Sequence, residues 1–293
     1  MARFLLLDGY NLAFRAYYGM PELTRSDGFP TSVVHGWLRT LWMLEDLQDP
    51  DVVLAFFDLG ASTAREALQS DYKANRGKTP EALELQIPYV KQLTEALGIP
   101  VIELRGVEAD DLMAAAAVHL ANRGDEALLV SADKDLGQIL RPGIRQILPP
   151  PTANPRLGWR ELDEAKLEEK YEVRAEQIPD YLALIGDNSD NIPGLAGCGP
   201  KTAVKWLKEY GTLEAILANA NYLKPPRFQE KVAAEAENLR RNLQIVTLDL
   251  KQDLAILEEE PREPDVYAAE EILLELEMKK AASDTRNRYL AGE

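Results

Sequence analysis

The sequence predicts an α/β protein built on a doubly wound, mostly parallel sheet. Four short, continuous apolar runs are bounded by turn residues, a pattern typical of strands buried on both faces of a parallel sheet: 3–7, 52–57, 101–104 and 127–130. Helical patterns lie between them at 31–47, 80–97 and 109–122. Strands that alternate with helices in this way indicate a parallel sheet covered by helices on both faces.

One of these helical patterns has a clear stop signal. The helical pattern at 109–122 ends before Gly124, a common residue at a helix C-terminus. From about residue 157 the strand-like runs give way to helical ones, at 161–171, 175–185, 200–210, 212–219 and 226–242. We therefore predict an α/β domain over 1–185, a helical region over 186–250, and an acidic tail over 251–293 that is surface-packed or partly mobile.

Composition limits the class of protein. With 46% hydrophobic and 28% charged residues, the chain is an ordinary globular protein, which excludes collagen-like and largely disordered classes. A single cysteine, Cys198, excludes an internal disulfide framework and a cysteine-rich zinc site. Since no apolar run is long enough for a signal peptide or a membrane span, we expect a cytoplasmic protein that makes no membrane contact.

The net charge of −16 is unevenly distributed. A strongly acidic protein ordinarily repels nucleic acid. However, residues 251–293 alone carry a net charge of −6, and nine further carboxylates belong to one set of short motifs. The rest of the chain is close to neutral, so a nucleic-acid partner is not excluded.

The carboxylates follow the predicted strands. Ligands of open parallel sheets bind beyond the carboxyl ends of the strands, so we expect these side chains to converge at one edge. Seven follow strands, and two more precede a glycine-rich turn in the helical half: Asp8, Asp58, Glu108, Asp110, Asp111, Asp133 and Asp135, then Asp187 and Asp190.

A single aspartate at a strand end is most often a helix cap or a turn residue. Many together need another explanation, because two such charges about 4 Å apart repel by about 4 kcal/mol at an effective dielectric constant of 20. Hard divalent cations relieve this repulsion, and the motifs contain no His or Cys, which favours Mg²⁺ or Mn²⁺ over zinc.

Several divalent ions beside carboxylates, without a nucleophilic Ser or Cys, indicate phosphodiester hydrolysis and hence a nucleic-acid substrate. The sequence lacks the GxxxxGK[ST] loop of nucleotide kinases. It also lacks the GxGxxG turn of dehydrogenases after the first strand, where Asp8 and Gly9 precede Tyr10 and Asn11.

Seven segments of the sequence match one known family in order and spacing: 6–17, 56–58, 72–76, 106–112, 131–136, 183–194 and 197–203. On these segments the chain resembles the 5′ nucleases of the flap endonuclease superfamily, and specifically the bacterial 5′-3′ exonuclease that forms the N-terminal domain of DNA polymerase I or a free-standing protein. The resemblance implies a PIN-like fold with a helical arch, and it implies that all nine carboxylates are metal-site residues.

The resemblance also implies where nucleic acid binds. The arch corresponds to about 65–91, where Lys73 and Arg76 match residues that bind the scissile phosphate, and Tyr72 either stacks on unpaired bases or belongs to the core. The stretch 194–203 resembles a helix-three-turn-helix that grips the duplex backbone without reading sequence. Its candidate DNA-binding residues are Gly197, Gly199, Lys201, Thr202 and Lys205, and its carbonyls are expected to hold a K⁺ ion.

We therefore expect a Mg²⁺-dependent, structure-specific 5′ nuclease, with Mn²⁺ as a substitute. Its partners are expected to be DNA with 5′ flaps or 5′ ends, RNA primer/DNA hybrids, and DNA polymerase I or other replication proteins. We expect a monomer at the nucleoid, and the absence of an obvious linker before the C-terminus favours a free-standing protein. Two alternatives stay open: a PIN-like ribonuclease, which would lack the duplex-gripping turn, and a non-catalytic junction-binding protein, which would be expected to lose some of the carboxylates.

Overall fold

A six-stranded sheet organises the first half of the protein, as seen in a computed structural model that describes residues 1–252, 254, 257 and 262–290. The strand order is β3-β2-β1-β4-β5-β6, in which the first five strands are parallel and β6 is antiparallel to β5. The predicted doubly wound, mostly parallel sheet is confirmed. The strands are β1 Arg3–Asp8, β2 Val52–Phe56, β3 Val101–Ile102, β4 Glu126–Val130, β5 Ile144–Leu148 and β6 Arg160–Leu162.

Helices cover both faces of this sheet. Successive side chains of β1 point to opposite faces and are apolar on both, so each face has an apolar surface to bury. Leu5 and Leu7 of β1 are buried on one face, while Phe4 and Leu6 are buried on the other. Against the Leu5 face pack α1 Gly9–Gly19, α2 Ser32–Gln48 and α5 Ile87–Ala96; against the Phe4 face packs α6 Ala109–Asn122.

The helical region continues the core on the α6 side. Leu182, Trp206 and Leu239, from three of its helices, belong to the same buried cluster as Phe4 and Leu6 of the sheet. The helical region therefore has a fixed position relative to the sheet. Its elements are α7 Glu164–Tyr171, α8 Ile178–Ile185, the short strands β7 Gly186–Asp187 and β8 Ile192–Pro193, α9 Pro200–Tyr210, α10 Leu213–Ala218, α11 Gln229–Ala234 and α12 Ala236–Val246.

Several predicted helices are divided or shortened in the structure. The 80–97 pattern forms α4 Glu81–Glu84 and α5, because Pro88 suits only the first turn of a new helix. The 161–171 pattern begins as β6, which pairs with β5 until Asp163 caps α7. Pairing with its neighbours makes β5 a strand, although Gln146 interrupts the apolar pattern that would have predicted it.

The predicted arch is less helical than expected. Within 65–91 the structure has the end of α3 Thr63–Leu68, turns over 69–80, α4, and the start of α5, which is buried against the sheet. The turns lie against the segment that carries Asp187 and Asp190, since the Lys73 amide donates to the Asp190 carbonyl at 3.0 Å.

The C-terminal segment forms two helices that pack into the core, where the sequence predicted a surface-packed or partly mobile tail. It contains α13 Val266–Glu275 and α14 Lys279–Leu290, whose Ala269, Leu273 and Ala282 are buried in the core on the α2 and α5 side. Of the predicted tail, residues 253, 255–256, 258–261 and 291–293 lie outside the described residues, and the three-part division of the chain stays a prediction. In the part of the chain that the structure describes, no helix is both long and apolar enough to cross a membrane.

Leu273→Ala should destabilise the protein, because the C-terminal helices complete a core. Leu273 is fully buried, and truncating such a side chain typically lowers the free energy of unfolding by about 2–5 kcal/mol. The neighbouring Leu274 is 47% exposed, so Leu274→Ala is the matched control, with an expected change within about 0.5 kcal/mol. Chemical denaturation measures both, and equal values would show that α13 does not contribute to the core.

Candidate metal centre and nucleic-acid interface

Five carboxylates from four different segments line one cavity of about 760 Å³ at the carboxyl edge of the sheet. Their neighbours in its wall include Lys73 and Arg76 from the turns after α3, and Tyr10 and Arg15 from α1. The predicted convergence beyond the strand ends is therefore present for these five: Asp8, Asp58, Glu108, Asp110 and Asp133.

Local hydrogen bonds fix these carboxylates. Asp8 ends β1 and caps α1, since one of its oxygens accepts from the Asn11 amide at 3.0 Å and the other from the Ser131 hydroxyl at 2.6 Å. Asp58 follows β2, and its carboxylate accepts from the Ala109 amide at 2.7 Å. This hydrogen bond satisfies the first amide of α6, as a capping side chain does. The ordinary role of an aspartate as a helix cap and a place in the cavity thus coexist in both residues.

A second group consists of Asp135, Asp187 and Asp190, all buried, each with a carboxylate oxygen within 4.8 Å of the others. Asp187 and Asp190 reach the sheet edge because the chain segments at Gly186 and Gly194 pass each other closely, and neither glycine has a side chain to prevent this. A Cβ atom on Gly194 would lie 2.2 Å from the Ile185 carbonyl carbon, and Gly186 has a φ of +78°. The glycine-rich turn therefore brings the helical region to the sheet.

Four cations from the chain lie among the carboxylates. Lys73 Nζ is 2.7 Å from Glu108 Oε1, Arg76 Nη2 is 2.5 Å from Asp190 Oδ1, and Lys134 Nζ is 2.6 Å from Asp187 Oδ2. Arg65 contacts Glu108 Oε2 at 2.9 Å. Four positive charges neutralise fewer than half of nine carboxylates, so this region keeps a strong attraction for cations.

Burial changes the protonation of the carboxyl groups. It raises the pKa of Asp8 to about 7, against the opposing hydrogen bond from Ser131. Burial also raises the pKa of Asp110 and of Asp135, and the like charges of Glu108 and Asp133 respectively add to the effect. Asp187 differs: burial acts to raise its pKa, but the hydrogen bonds from Lys134 and Ser189 and the charge of Lys134 together outweigh burial, so its pKa is lowered. Raised pKa values mean that the ionised forms lack sufficient positive charge nearby.

The donor set fits a divalent cation of the Mg²⁺ or Mn²⁺ type. Both groups offer carboxylate oxygens and no nitrogen or sulfur ligand, and hard cations with oxygen coordination prefer such donors. The three oxygens of the second group are close enough together to share an ion.

Asp111 is placed differently from its eight predicted partners. Its carboxylate accepts from Arg65 Nη1 at 2.6 Å and from Arg65 Nη2 at 2.8 Å, and it accepts from the Asp249 amide at 2.8 Å. Its side chain does not line the cavity. Consecutive residues of a helix point about 100° apart, so Asp110 and Asp111 cannot both face the same side.

Of the two alternatives for Tyr72, base stacking or a place in the core, the structure supports the second. Its side chain is only 8% exposed, and its hydroxyl lies 3.2 Å from Glu108 Oε2 and 3.1 Å from Asp190 Oδ2. The ring is therefore core, and the hydroxyl joins the two carboxylate groups. Tyr10 is half-buried and packs edge-on against Phe57, 5.9 Å between ring centroids.

The predicted duplex-gripping residues lie around the start of α9. Gly199 is its N-cap and Gly197 has a φ of +84°, a left-handed conformation that favours glycine. Lys201 and Lys205 are exposed and Thr202 is half-buried, so the basic side chains face solvent at a helix N-terminus, where anions are favoured. Trp206 anchors the helix from below by donating to the Lys224 carbonyl at 2.9 Å.

Comparisons with known proteins agree with this arrangement. Residues 3–172 match the model of the 5′-3′ exonuclease N-terminal resolvase-like domain, and residues 173–266 match that of the 5′-3′ exonuclease C-terminal SAM fold. The chain belongs to the 5′-3′ exonuclease family.

Relatives of this family include both free-standing and fused proteins. A 5′-3′ exonuclease of Aquifex aeolicus is 37% identical over 95% of this chain and 93% of its own length. The thermostable DNA polymerase I of Thermus aquaticus is 38% identical over 90% of this chain, which spans only 30% of that polymerase. The fold is shared with a phage T5 flap endonuclease solved with DNA and metal ions (TM-score 0.69, 24% identity, 97% of each chain).

Sequence reasoning missed several residues of the exonuclease-family site. Ser131, which holds Asp8, is a small polar residue at a strand end with no signal of its own. Lys134 stands between Asp133 and Asp135 in the sequence, and this position indicates an internal counter-ion. Arg65 lies at the start of the predicted arch and is buried at 7% exposure, among the carboxylates.

Without divalent ions, the thermal stability should fall as the pH rises from about 5 to about 8. The unfolded Asp8 carboxyl has its ordinary pKa of 3.8, whereas the folded one has a pKa of about 7. The folded protein therefore binds more protons across this window, and the free energy of unfolding decreases as the pH rises. We expect the melting temperature in EDTA to drop by roughly 3 °C or more, given about 2–4 °C per kcal/mol for a chain of this size.

Scanning calorimetry at both pH values, with EDTA or with excess Mg²⁺, measures this effect. Excess Mg²⁺ should flatten the dependence, and Asp8→Asn in EDTA should do the same. A melting temperature in EDTA that is equal or higher at pH 8 would contradict the electrostatic interpretation of the cavity.

Proposed function

We propose that this chain is a divalent-metal-dependent, structure-specific 5′ nuclease that cuts DNA or RNA/DNA phosphodiesters near a junction. The observation that carries the proposal is the pair of carboxylate groups at the carboxyl edge of the sheet, with Lys73 and Arg76 beside them. The A. aeolicus relative, named a 5′-3′ exonuclease, matches this chain over nearly its full length, which supports the same activity here.

Each of the two carboxylate groups would bind its own cation. Asp8, Asp58, Glu108, Asp110 and Asp133 would hold Mg²⁺ in the cavity, and Asp135, Asp187 and Asp190 would hold a second ion. Divalent cations bound there supply an activated water and stabilise charge on the leaving oxygen. We propose Mg²⁺ as the natural ion and Mn²⁺ as a substitute.

Lys73 and Arg76 act on the substrate. Both line the cavity, and Arg76 is exposed, so their positive groups can reach a phosphate that lies against the carboxylates. A cation beside the reacting phosphoryl group stabilises the charge that develops in the transition state. The turns over 69–80 would guide the single-stranded 5′ end past these two residues.

Duplex binding belongs to the start of α9. Lys201 and Lys205, with the amides around Gly197, Gly199 and Thr202, suit contacts to the phosphate backbone that carry no base specificity. K⁺ binding by this turn stays a prediction. Action on RNA primer/DNA hybrids, a monomeric state, a nucleoid location and partnership with DNA polymerase I are likewise proposed.

Asp110→Asn should abolish cleavage while leaving flap binding intact. The substitution keeps the size of the side chain and removes one charge from the cavity wall. The loss of rate should exceed the roughly 10–100-fold typical of residues that only support a metal ligand. The assay uses 5′-labelled flap, blunt duplex and single-strand substrates with Mg²⁺ or EDTA, and binding is measured with Ca²⁺.

The control for this substitution is Asp284→Asn, on the distant helix α14, which should cut flaps like the parent protein. The parent protein should prefer the flap and be inactive in EDTA. Full activity of Asp110→Asn at saturating Mg²⁺, or undiminished cleavage by the parent in EDTA, would contradict the proposed function.

Lys73→Ala and Lys201→Ala should separate an effect on the cleavage step from an effect on DNA binding. Lys73→Ala should lower the single-turnover rate far more than it weakens binding, since its interaction strengthens in the transition state. Lys201→Ala should weaken binding and reduce the salt slope of log K by about 0.9, with the rate at saturation unchanged. Lys280→Ala, with 87% of its side chain exposed on α14, is the control. If Lys73→Ala changed only the dissociation constant, Lys73 would be a simple phosphate anchor.

A further inference from the structure

A buried arginine lies behind the metal centre, outside the cavity wall. Arg65, on α3, is 7% exposed and directs its guanidinium at two carboxylates at the N-terminus of α6, those of the N-cap Glu108 and of Asp111 in the first turn. Its Nη1 lies 2.9 Å from Glu108 Oε2 and 2.6 Å from Asp111 Oδ2, and its Nη2 lies 2.8 Å from Asp111 Oδ1. The pair with Asp111 is a two-pronged fork, the strongest geometry for an arginine and a carboxylate.

The fork is also tied to the end of α12. Arg65 Nε donates to the Ile245 carbonyl at 2.9 Å, and the Asp249 amide donates to Asp111 Oδ1 at 2.8 Å. Both members of the pair therefore contact the last turn of α12 or the residues just after it. The contacts join three separate parts of the chain: the start of the arch, the first turn of α6, and the end of the helical region.

We propose that Arg65 and Asp111 form a positioning pair that holds Glu108 in the orientation needed to bind a cation, and that Asp111 is not itself a metal ligand. This inference rests on the proposed function. Glu108 has one oxygen within reach of Arg65 and Tyr72, and its other oxygen, Oε1, lies 2.7 Å from Lys73 Nζ, which lines the cavity with it.

Two observations distinguish a positioning pair from a substrate-binding arginine and a metal-binding aspartate. Arg65 does not line the cavity and is nearly inaccessible, so it cannot contact a substrate phosphate there. Asp111 already has both oxygens bonded to Arg65 and one to a backbone amide, so no oxygen is directed at the cavity. Glu108 both accepts a hydrogen bond from Arg65 and lines the cavity, whereas Asp110, which also lines the cavity, lies 3.9 Å from Arg65 Nη1, beyond hydrogen-bond distance.

Lysine cannot replace this arginine. Its single ammonium group lacks the planar fork that bonds both oxygens of Asp111 while also reaching Glu108 and the Ile245 carbonyl. Arg65→Lys keeps the charge, so it removes geometry rather than electrostatic balance. Removing the charge altogether would leave Asp111 buried and unpaired, which is strongly destabilising.

The test compares Arg65→Lys, Asp111→Asn and their double variant with the parent protein. Ca²⁺ affinity without DNA is measured by titration calorimetry, and single-turnover flap cleavage is measured across a Mg²⁺ series. Arg240→Lys is the matched control, since Arg240 makes the same kind of fork with Glu214, at 2.9 and 3.0 Å, on the exposed surface of α12.

We expect Arg65→Lys and Asp111→Asn each to weaken Ca²⁺ binding roughly 10–100-fold, the range for partners that orient a metal ligand. The Mg²⁺ concentration for half-maximal cleavage should rise by a similar factor, with most of the maximal rate recovered at high Mg²⁺. The double variant should bind Ca²⁺ no more weakly than the single variant with the lower Ca²⁺ affinity, because both substitutions disrupt the same Arg65–Asp111 pair. Arg240→Lys should match the parent.

Three results would overturn the proposal. The first is a Ca²⁺ affinity of Arg65→Lys equal to that of the parent protein. The second is a loss in Asp111→Asn that high Mg²⁺ does not recover, which would make Asp111 a direct ligand. The third is full additivity in the double variant. If Arg65→Lys does not fold, Asp111→Asn decides by two measurements: an unchanged Ca²⁺ affinity, or a cleavage rate that high Mg²⁺ does not recover, overturns the proposal. Absence of cleavage by the parent protein would contradict the proposed function, while the Ca²⁺ titrations would still test the positioning pair.

Discussion

Carboxylates that follow parallel strands lie close together at one edge of the sheet, and each of them repels the next. In this protein the repulsion is countered from within by Arg65, Lys73, Arg76 and Lys134, each of which contacts at least one of the carboxylates. The compensation is partial, and burial raises the pKa of Asp8 and others in the group. The same imbalance that costs stability creates the affinity for divalent cations on which the proposed chemistry depends.

The four counter-ions explain why distant parts of the chain are joined at this edge. Arg65 connects α3 to α6 and α12, while Arg76 connects the turns after α3 to Asp190 in the helical region. Lys134 connects the loop after β4 to Asp187. The candidate metal centre therefore also lies at the junction between the sheet and the helical region, and ion pairs join the two.

The core supports this junction from both faces of the sheet. On one face the helical region shares a buried cluster with Phe4 and Leu6, so that α9 and its basic N-terminus have a fixed position relative to the cavity. On the other face α13 and α14 extend the core formed with α2 and α5. The two helices pack here because Ala269, Leu273 and Ala282 are buried, while Glu271 and Glu275 are exposed.

The sequence by itself determined the sheet class, the parallel strands and the convergence of Asp8, Asp58, Glu108, Asp110 and Asp133. Local patterns carry that information, because a buried parallel strand needs a continuous apolar run and its ligands lie beyond its carboxyl end. Tertiary contacts decided the rest. Strand β5 depends on pairing with β4, the C-terminal helices depend on a core supplied by α2 and α5, and Tyr72 is buried by the segment around Asp190. Asp110 and Asp111 are adjacent in the sequence and alike in chemistry, but Asp110 lines the cavity while Asp111 pairs with Arg65, because consecutive helix residues point about 100° apart and Arg65 is brought in from α3.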